Sequence, residues 1–186
     1  MVIALDQILI SAGVGIISSL MAAYLYFKFS YSLKPKIEIS DYISRWKTSN
    51  GIKNYSIKIV NRSNRNVMNV SAQFFSVKQV KVLSENGKDV DRINEYSTIE
   101  LVRSNIMELK GKNSKDKFAP YEFRFSTLTD LDTLLNSNAD AHLKIEIYCQ
   151  DAKTSFGKVF SQNYSGTNKI KKGPFKSNHS LEIEWV

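Results

Sequence analysis

The sequence is short of the side chains that most often carry chemistry. Its 186 residues include one cysteine, Cys149, and two histidines, His142 and His179. A lone cysteine excludes an intrachain disulfide, and so few His and Cys side chains exclude the spaced zinc-ligand sets. The G-x-S-x-G, H-E-x-x-H and P-loop patterns are also missing, so the sequence offers none of the nucleophile, zinc-protease or nucleotide-hydrolysis signatures. No repeat or low-complexity tract is present. These absences point to a chain that is not an enzyme and holds no cofactor or metal. Cys149 lies on the apolar parity of a strand-like stretch, which reads as a buried inert thiol. Asp130 and Asp132 form a D-x-D pair at a helix start, where carboxylates complement the helix dipole.

The largest absence is of charge. From Gln7 to Phe27, QILISAGVGIISSLMAAYLYF, no side chain is charged, and Asp6 and Lys28 bound the run. At ~1.5 Å per residue a helix of this length is roughly 30 Å long, the thickness of a bilayer's hydrocarbon core. We expect a single transmembrane helix over 1–29 and a juxtamembrane linker over 30–36. A basic n-region is missing and the run is long for a signal peptide. Tyr24, Phe27, Tyr26, Phe29 and Tyr31 form an interfacial aromatic belt. Lys28, Lys34 and Lys36 follow the run, positioned for lipid headgroups. This lysine bias predicts an inner (plasma) membrane protein with its N-terminus outside and its C-terminal part cytoplasmic. Five Asn-x-Ser triplets, at Asn54, Asn61, Asn69, Asn163 and Asn178, are taken as chance matches in an Asn- and Ser-rich chain.

On a helical wheel at ~100° per residue, Gln7, Ser11, Gly15, Ser18 and Ala22 share one flank, with Ser19 at its margin. Leu9, Ile10, Ile16, Ile17, Leu20, Met21 and Phe27 share the other. Small residues four apart let two helices approach closely, which predicts a homo-oligomer in the membrane. The same flank can form a dry packed seam or line a narrow polar path for ions.

Lysine and arginine outnumber acids, giving a net charge of +8 and a pI near 9.4. Membrane proximity accounts for part of this. The rest fits solubility, an anionic ligand such as a nucleotide, or an acidic partner protein. Two basic stretches stand out as candidates for an anion: Arg62 and Arg65 in NRSNRN, and Lys169, Lys171, Lys172 and Lys176 in KIKKGPFK. Phe175 beside the second could stack on a base.

About 150 residues remain after the linker, enough for one domain over 37–186. Alternation predicts short strands over 36–43, 55–60, 67–83, 88–93, 97–102, 118–125, 142–149, 156–164 and 181–186. A parity shift at Phe74-Phe75 predicts a bulge there, and Asn86-Gly87 a tight hairpin turn. Trp46 is expected under the loop that follows the first strand. Leu128, Leu131, Leu134 and Leu135 predict one short helix capped by Ser126 or Thr127. Residues 109–117 and 166–177 are expected to be loops. The fold class is mainly β: an immunoglobulin-like antiparallel sandwich, or a small barrel, behind an N-terminal helix.

This layout, MVIALDQILISAGVGIISSLMAAYLYFKFS followed by a strand-rich basic remainder, resembles the membrane-anchored β-domain effectors of bacterial nucleotide-signalling anti-phage defence. The resemblance implies a β-domain that senses a nucleotide or partner, and oligomerised helices that perforate or disrupt the inner membrane. Members of that family carry two spans, and one is visible here. The alternative is an accessory subunit that docks a partner protein through a strand edge.

Overall fold

Uninterrupted apolar sequence makes one long helix, α1 (Val2–Ser32), in the computed structural model. The structure describes residues 2–32, 34–48, 50–83, 90–112, 115, 120–137, 140–177 and 179–184. Two units are present, 1–34 and 35–186. The helix continues to Ser32, into the stretch expected to be linker; Pro35, which cannot continue a helix, comes only three residues later. Its segment Ile10–Tyr31 has a mean hydropathy of 1.6, and its apolar side chains are exposed, so α1 is long and apolar enough to cross a membrane.

The second unit is mainly β, with curled antiparallel sheets forming a half-barrel and one short α-helix. In the first sheet β3 (Lys53–Asn61) is central. β1 (Ile37–Ile39) and β2 (Ile43–Lys47) pair with it in succession along one edge, and β7 (Glu122–Thr127) takes the other. In the second sheet β4 (Val67–Leu83) is central. β5 (Val90–Ile99) and β6 (Asn105–Leu109) share one edge of it. β8 (Ala141–Asp151) takes the other, and β9 (Gly157–Ser165) lies outside β8. Tyr55, Ile57, Ile59, Phe74, Phe125, Leu143, Ile145 and Ile147 fill the space between the sheets. Tyr164 on β9 closes the two layers, its hydroxyl donating to the Ser40 carbonyl at 2.8 Å.

Several strands differ from the alternation pattern. The first splits at Ser40, whose hydroxyl donates to Tyr42 O and accepts from Lys58 N–H, breaking the run into β1 and β2. The bulge falls between Met68 and Ser71, with Asn69 at φ 51°, instead of at Phe74-Phe75. Asparagine tolerates that left-handed backbone, whereas two phenylalanines do not. Only the first half of the stretch 97–102 is strand, the end of β5, and β6 lies at 105–109, where no strand was expected. The short helix α2 (Leu131–Asn136) is capped by Asp130, whose carboxylate accepts from Thr133 N–H, and not by Ser126 or Thr127. Among the described residues of the 181–186 stretch, the expected strand is one bridge, Ile183 to Phe175. The Asn86-Gly87 turn, Asn178 and Trp185 lie outside the described residues.

The stretch 166–177 contains β10 (Ile170–Lys172), which pairs with β2 in parallel. The chain then folds across the outer side of β3. This cover makes β3 buried on both faces, where alternation predicted one. Lys58 is fully buried beneath it, 2.6 Å from Glu122 Oε2, and donates to the Lys176 carbonyl at 2.7 Å. Arg124 donates to Phe175 O, and Ser44 to Gly173 O. Burial pushes the Lys58 ammonium below the ordinary lysine range, and the hydrogen bond and charge of Glu122 oppose that shift. Gly173 sits at φ 123°, and a Cβ there would lie 1.9 Å from Glu184 O. Only glycine lets the covering segment turn back on itself here.

Candidate functional site

The six candidate cations do not form one site. Arg65 pairs at 2.9 Å with the buried carboxylate of Asp151, which also accepts from Lys153 and Thr154 N–H. Arg65 therefore braces a turn and presents no free charge. Asn61, in the same turn, is fully buried and donates to Arg65 O and Leu109 O, so its amide is closed to modification in the fold.

Arg62, Lys171 and Lys176 do converge, on a groove of about 670 Å³, but three carboxylates share it. Arg62 pairs with Glu38 and donates to His179 O. Lys176 pairs with Glu182 at 2.5 Å. That hydrogen bond raises the Lys176 pKa and lowers the Glu182 pKa. Lys171 lies 3.4 Å from the centre of the Tyr42 ring, and Lys169 lies 5.2 Å from it. With Asp41 as the third carboxylate, the groove is close to neutral. Phe175 is buried in the cover and offers no stacking face.

Lys172 belongs to a different cleft. The parallel pairing of β10 sets it beside Arg45 of β2. The β2–β3 hairpin sets Lys47 opposite Lys53. Together with Trp46, Gly173 and Pro174 these side chains line about 580 Å³, and no carboxylate is among the described lining residues. Trp46 stands 41% exposed on β2, not packed under a loop.

Two of the four cations are anchored from behind. Arg45 meets Asp132 at 2.6 Å and Lys53 meets Asp130 at 2.8 Å. The Tyr55 hydroxyl donates to both carboxylates. The D-x-D pair thus holds the cleft's wall in addition to capping α2. Hydrogen bonding to Lys53, then to Tyr55, keeps the Asp130 carboxyl far below the usual range. Lys47 and Lys172 are exposed and have no carboxylate partner among the described residues. Like charges directly opposite on neighbouring strands are unfavourable. Lys47 stands across from Lys53, and the Asp130 carboxylate on Lys53 offsets that cost.

The sequence carried a signal for this cleft. Asn50-Gly51 has turn chemistry, and folding R-W-K back on the lysine after it places Lys47 against Lys53. What no local pattern gave was the parallel arrival of Lys172.

No protein-family model and no curated protein matches the chain. Among solved structures, it is similar to the putative ApaA protein of Bordetella pertussis, with 8% identity and a TM-score of 0.34. That match covers 70% of this chain and 94% of the other. It is also similar to Spo0M, the sporulation control protein of Bacillus subtilis, with 9% identity and a TM-score of 0.40. There the match covers 74% of this chain and 49% of the other. At these scores neither likeness adds to the reading of the cleft.

The remaining candidates lie on α1. The Ser11 hydroxyl donates to Gln7 O at 2.8 Å, along its own helix. Nothing lies within 4 Å of a Cβ built on Gly15. Gly15, Ser18, Ser19 and Ala22 leave that flank shallow, and it differs from the Ile16–Ile17–Leu20 flank in size more than in polarity. Lys34 lies 3.1 Å from the centre of the Tyr31 ring, while Lys28 and Lys36 are exposed. Cys149 is fully buried, and burial pushes its thiol up to about 12, far from a nucleophile's range. His179 stacks on Tyr121 at 4.2 Å.

The wall carboxylates give a pH prediction. Asp130 has a folded pKa below its unfolded one, so its stabilisation is present above about pH 4 and is lost as pH falls from there towards the much lower folded value. Asparagine keeps the capping acceptor. Asp130→Asn is expected to lower stability at neutral pH, where the ionised carboxylate is paired with Lys53, and to flatten the acid side of the stability–pH curve; denaturant unfolding at several pH values measures both.

Proposed function

We propose that the chain is a single-pass protein of the bacterial inner membrane whose cytoplasmic β-domain receives an anionic ligand. The observation that carries this reading is the cleft of Arg45, Trp46, Lys47, Lys53 and Lys172. It combines two exposed lysines without a carboxylate partner among the described residues, Lys47 and Lys172, with a part-exposed indole, the pairing suited to a phosphate attached to a flat ring. α1 supplies the membrane attachment and self-associates along Ser11, Gly15, Ser18 and Ala22. Lys28, Lys34 and Lys36 favour the anionic cytoplasmic leaflet. Ligand capture in the β-domain would then bias how the helices pack, as in the membrane-anchored effectors of nucleotide-signalling anti-phage defence that the layout resembles.

The test is equilibrium dialysis of the full chain in detergent against mononucleotides and inorganic phosphate. Lys47→Glu with Lys172→Glu is expected to weaken nucleotide binding about tenfold per lysine, since a charge-assisted hydrogen bond is worth about 1.5–3 kcal/mol. Phosphate alone should bind more weakly than a nucleotide, and Trp46→Ala should erase that difference. Equal affinities in the wild type and the double variant would overturn the cleft assignment.

A further inference from the structure

The end of the β2–β3 hairpin is basic and apolar at once. From Ile43 to Tyr55 the sequence, ISRWKTSNGIKNY, contains no acidic residue. Lys47 and Lys53 pair across the strands next to the turn, and Trp46 and Ile52 alternate with them along the chain. Trp46 is 41% exposed and Ile52 50%. β7 finishes at the same end of the sheet, since Thr127 pairs with Tyr55, and the residue after it, Leu128, is 53% exposed. Lys172, the last residue of β10, is exposed beside Arg45. Asp130 and Asp132 pair with Lys53 and Arg45, which leaves Lys47 and Lys172 as surplus positive charge at this end. A single exposed apolar side chain needs no explanation, but three at one end of a sheet, set among lysines, mark a contact surface. A nucleotide in the cleft does not account for them, because Ile52 and Leu128 are not among the residues that line it.

We propose that this end of the β-domain seats on the anionic leaflet of a bilayer. An indole is stable at the level of the headgroups, where its ring meets apolar surface and its N–H stays wet. Ile52 and Leu128 add apolar area beside it. Lys47 and Lys172 lay their methylene stems along the same surface and carry their ammonium groups out to the lipid phosphates. Three apolar side chains bind a bilayer weakly on their own. On the membrane reading of α1, which this proposal rests on, four residues join Ser32 of the helix to Ile37 of β1, and so short a tether keeps the effective concentration at the surface high. The contact does not depend on nucleotide binding. It shares Lys47 and Lys172 with the cleft, so a nucleotide and the leaflet compete for the same two charges.

The experiment places the full chain in lipid vesicles with Trp185→Phe, which leaves Trp46 as the single indole. Part of the phospholipid carries bromine high on its acyl chains, so that an indole at the interface is quenched and one in water is not. Vesicles of phosphatidylglycerol and phosphatidylcholine are expected to quench Trp46 strongly, and vesicles of phosphatidylcholine alone to quench it weakly. Lys47→Glu with Lys172→Glu should bring the first down to the second, since each lysine near an anionic leaflet strengthens binding about fivefold. Ile52→Ser with Leu128→Ser should also lose the quenching, yet leave nucleotide binding in dialysis unchanged. Moving the indole by Trp46→Phe with Met107→Trp, to an exposed position on β6, should give no quenching in either mixture. Equal quenching of Trp46 in the two mixtures, or equal quenching at 46 and 107, overturns the contact. Flotation is scored on the same samples. A chain that floats with Trp46 unquenched overturns the leaflet contact alone, whereas a chain that does not float overturns the membrane reading and this proposal with it.

Discussion

Lys58→Ala is expected to destabilise the β-domain by about 3–5 kcal/mol, the usual cost of removing one partner of a buried ion pair. The ammonium is completely shielded, lies 2.6 Å from Glu122, and donates to the Lys176 carbonyl. Alanine leaves Glu122 in a site that is four-fifths closed, its side chain being 20% exposed. Arg124, 3.6 Å from the other carboxylate oxygen, compensates in part and sets the lower end of the range. The loss also frees the segment over β3, so proteolysis between 174 and 184 should accelerate. Domains of this size have about 5–15 kcal/mol in hand, so the variant approaches unfolding. Denaturant titration of the full chain in detergent measures it. The double change Lys58→Met with Glu122→Leu removes both charges, and it should recover most of the loss. A drop below about 1 kcal/mol for the single change would show that the pair is not what holds the cover down.

Gly15→Leu is expected to abolish the cross-linked ladder of oligomers in detergent. The test is clean because the monomer has room for the larger residue. Beyond the helix's own neighbouring backbone, nothing among the described residues lies within 4 Å of the added Cβ. Leucine also favours a helix over glycine by about 1 kcal/mol, so the span itself is not weakened. Any effect must come from a neighbouring helix that can no longer approach the Ser11–Gly15–Ser19–Ala23 row. Met21→Leu, on the bulky flank, serves as the control and should leave the ladder unchanged. An unaltered ladder for Gly15→Leu would remove the seam, and with it the polar path through Gln7, Ser11 and Ser18.

The legibility of the fold followed how local its causes are. The strands β3, β7, β8 and β9 were visible because Ile57, Ile59, Phe123, Phe125, Ile145 and Ile147 alternate with polar residues and one face settles them. The antiparallel sandwich followed from their spacing. What escaped depended on distant partners. Ile170, Lys171 and Lys172 carry too short a pattern to announce a strand, and only β2, far earlier in the chain, makes them one. Lys58 looked like a solvent-facing lysine because its cover comes from residues 173–184. For the same reason, the basic run at 169–176 looked like one site. The structure divides it between two grooves, and three of its four lysines are already matched by Glu182 or set against Tyr42. Arg65 was misjudged because Asp151 is remote in sequence.

The cover over β3 also sets an order of events during synthesis. Ser44 and the Gly173 carbonyl that it holds are 129 residues apart. When the ribosome has finished the first sheet's inner strands, the outer side of β3 is still wet, and Lys58 waits as an ordinary hydrated cation. The apolar leading helix has by then long been available to lipid. On the membrane reading proposed above, insertion precedes completion of the sandwich, and the nascent domain passes through a stage in which it is anchored but still open.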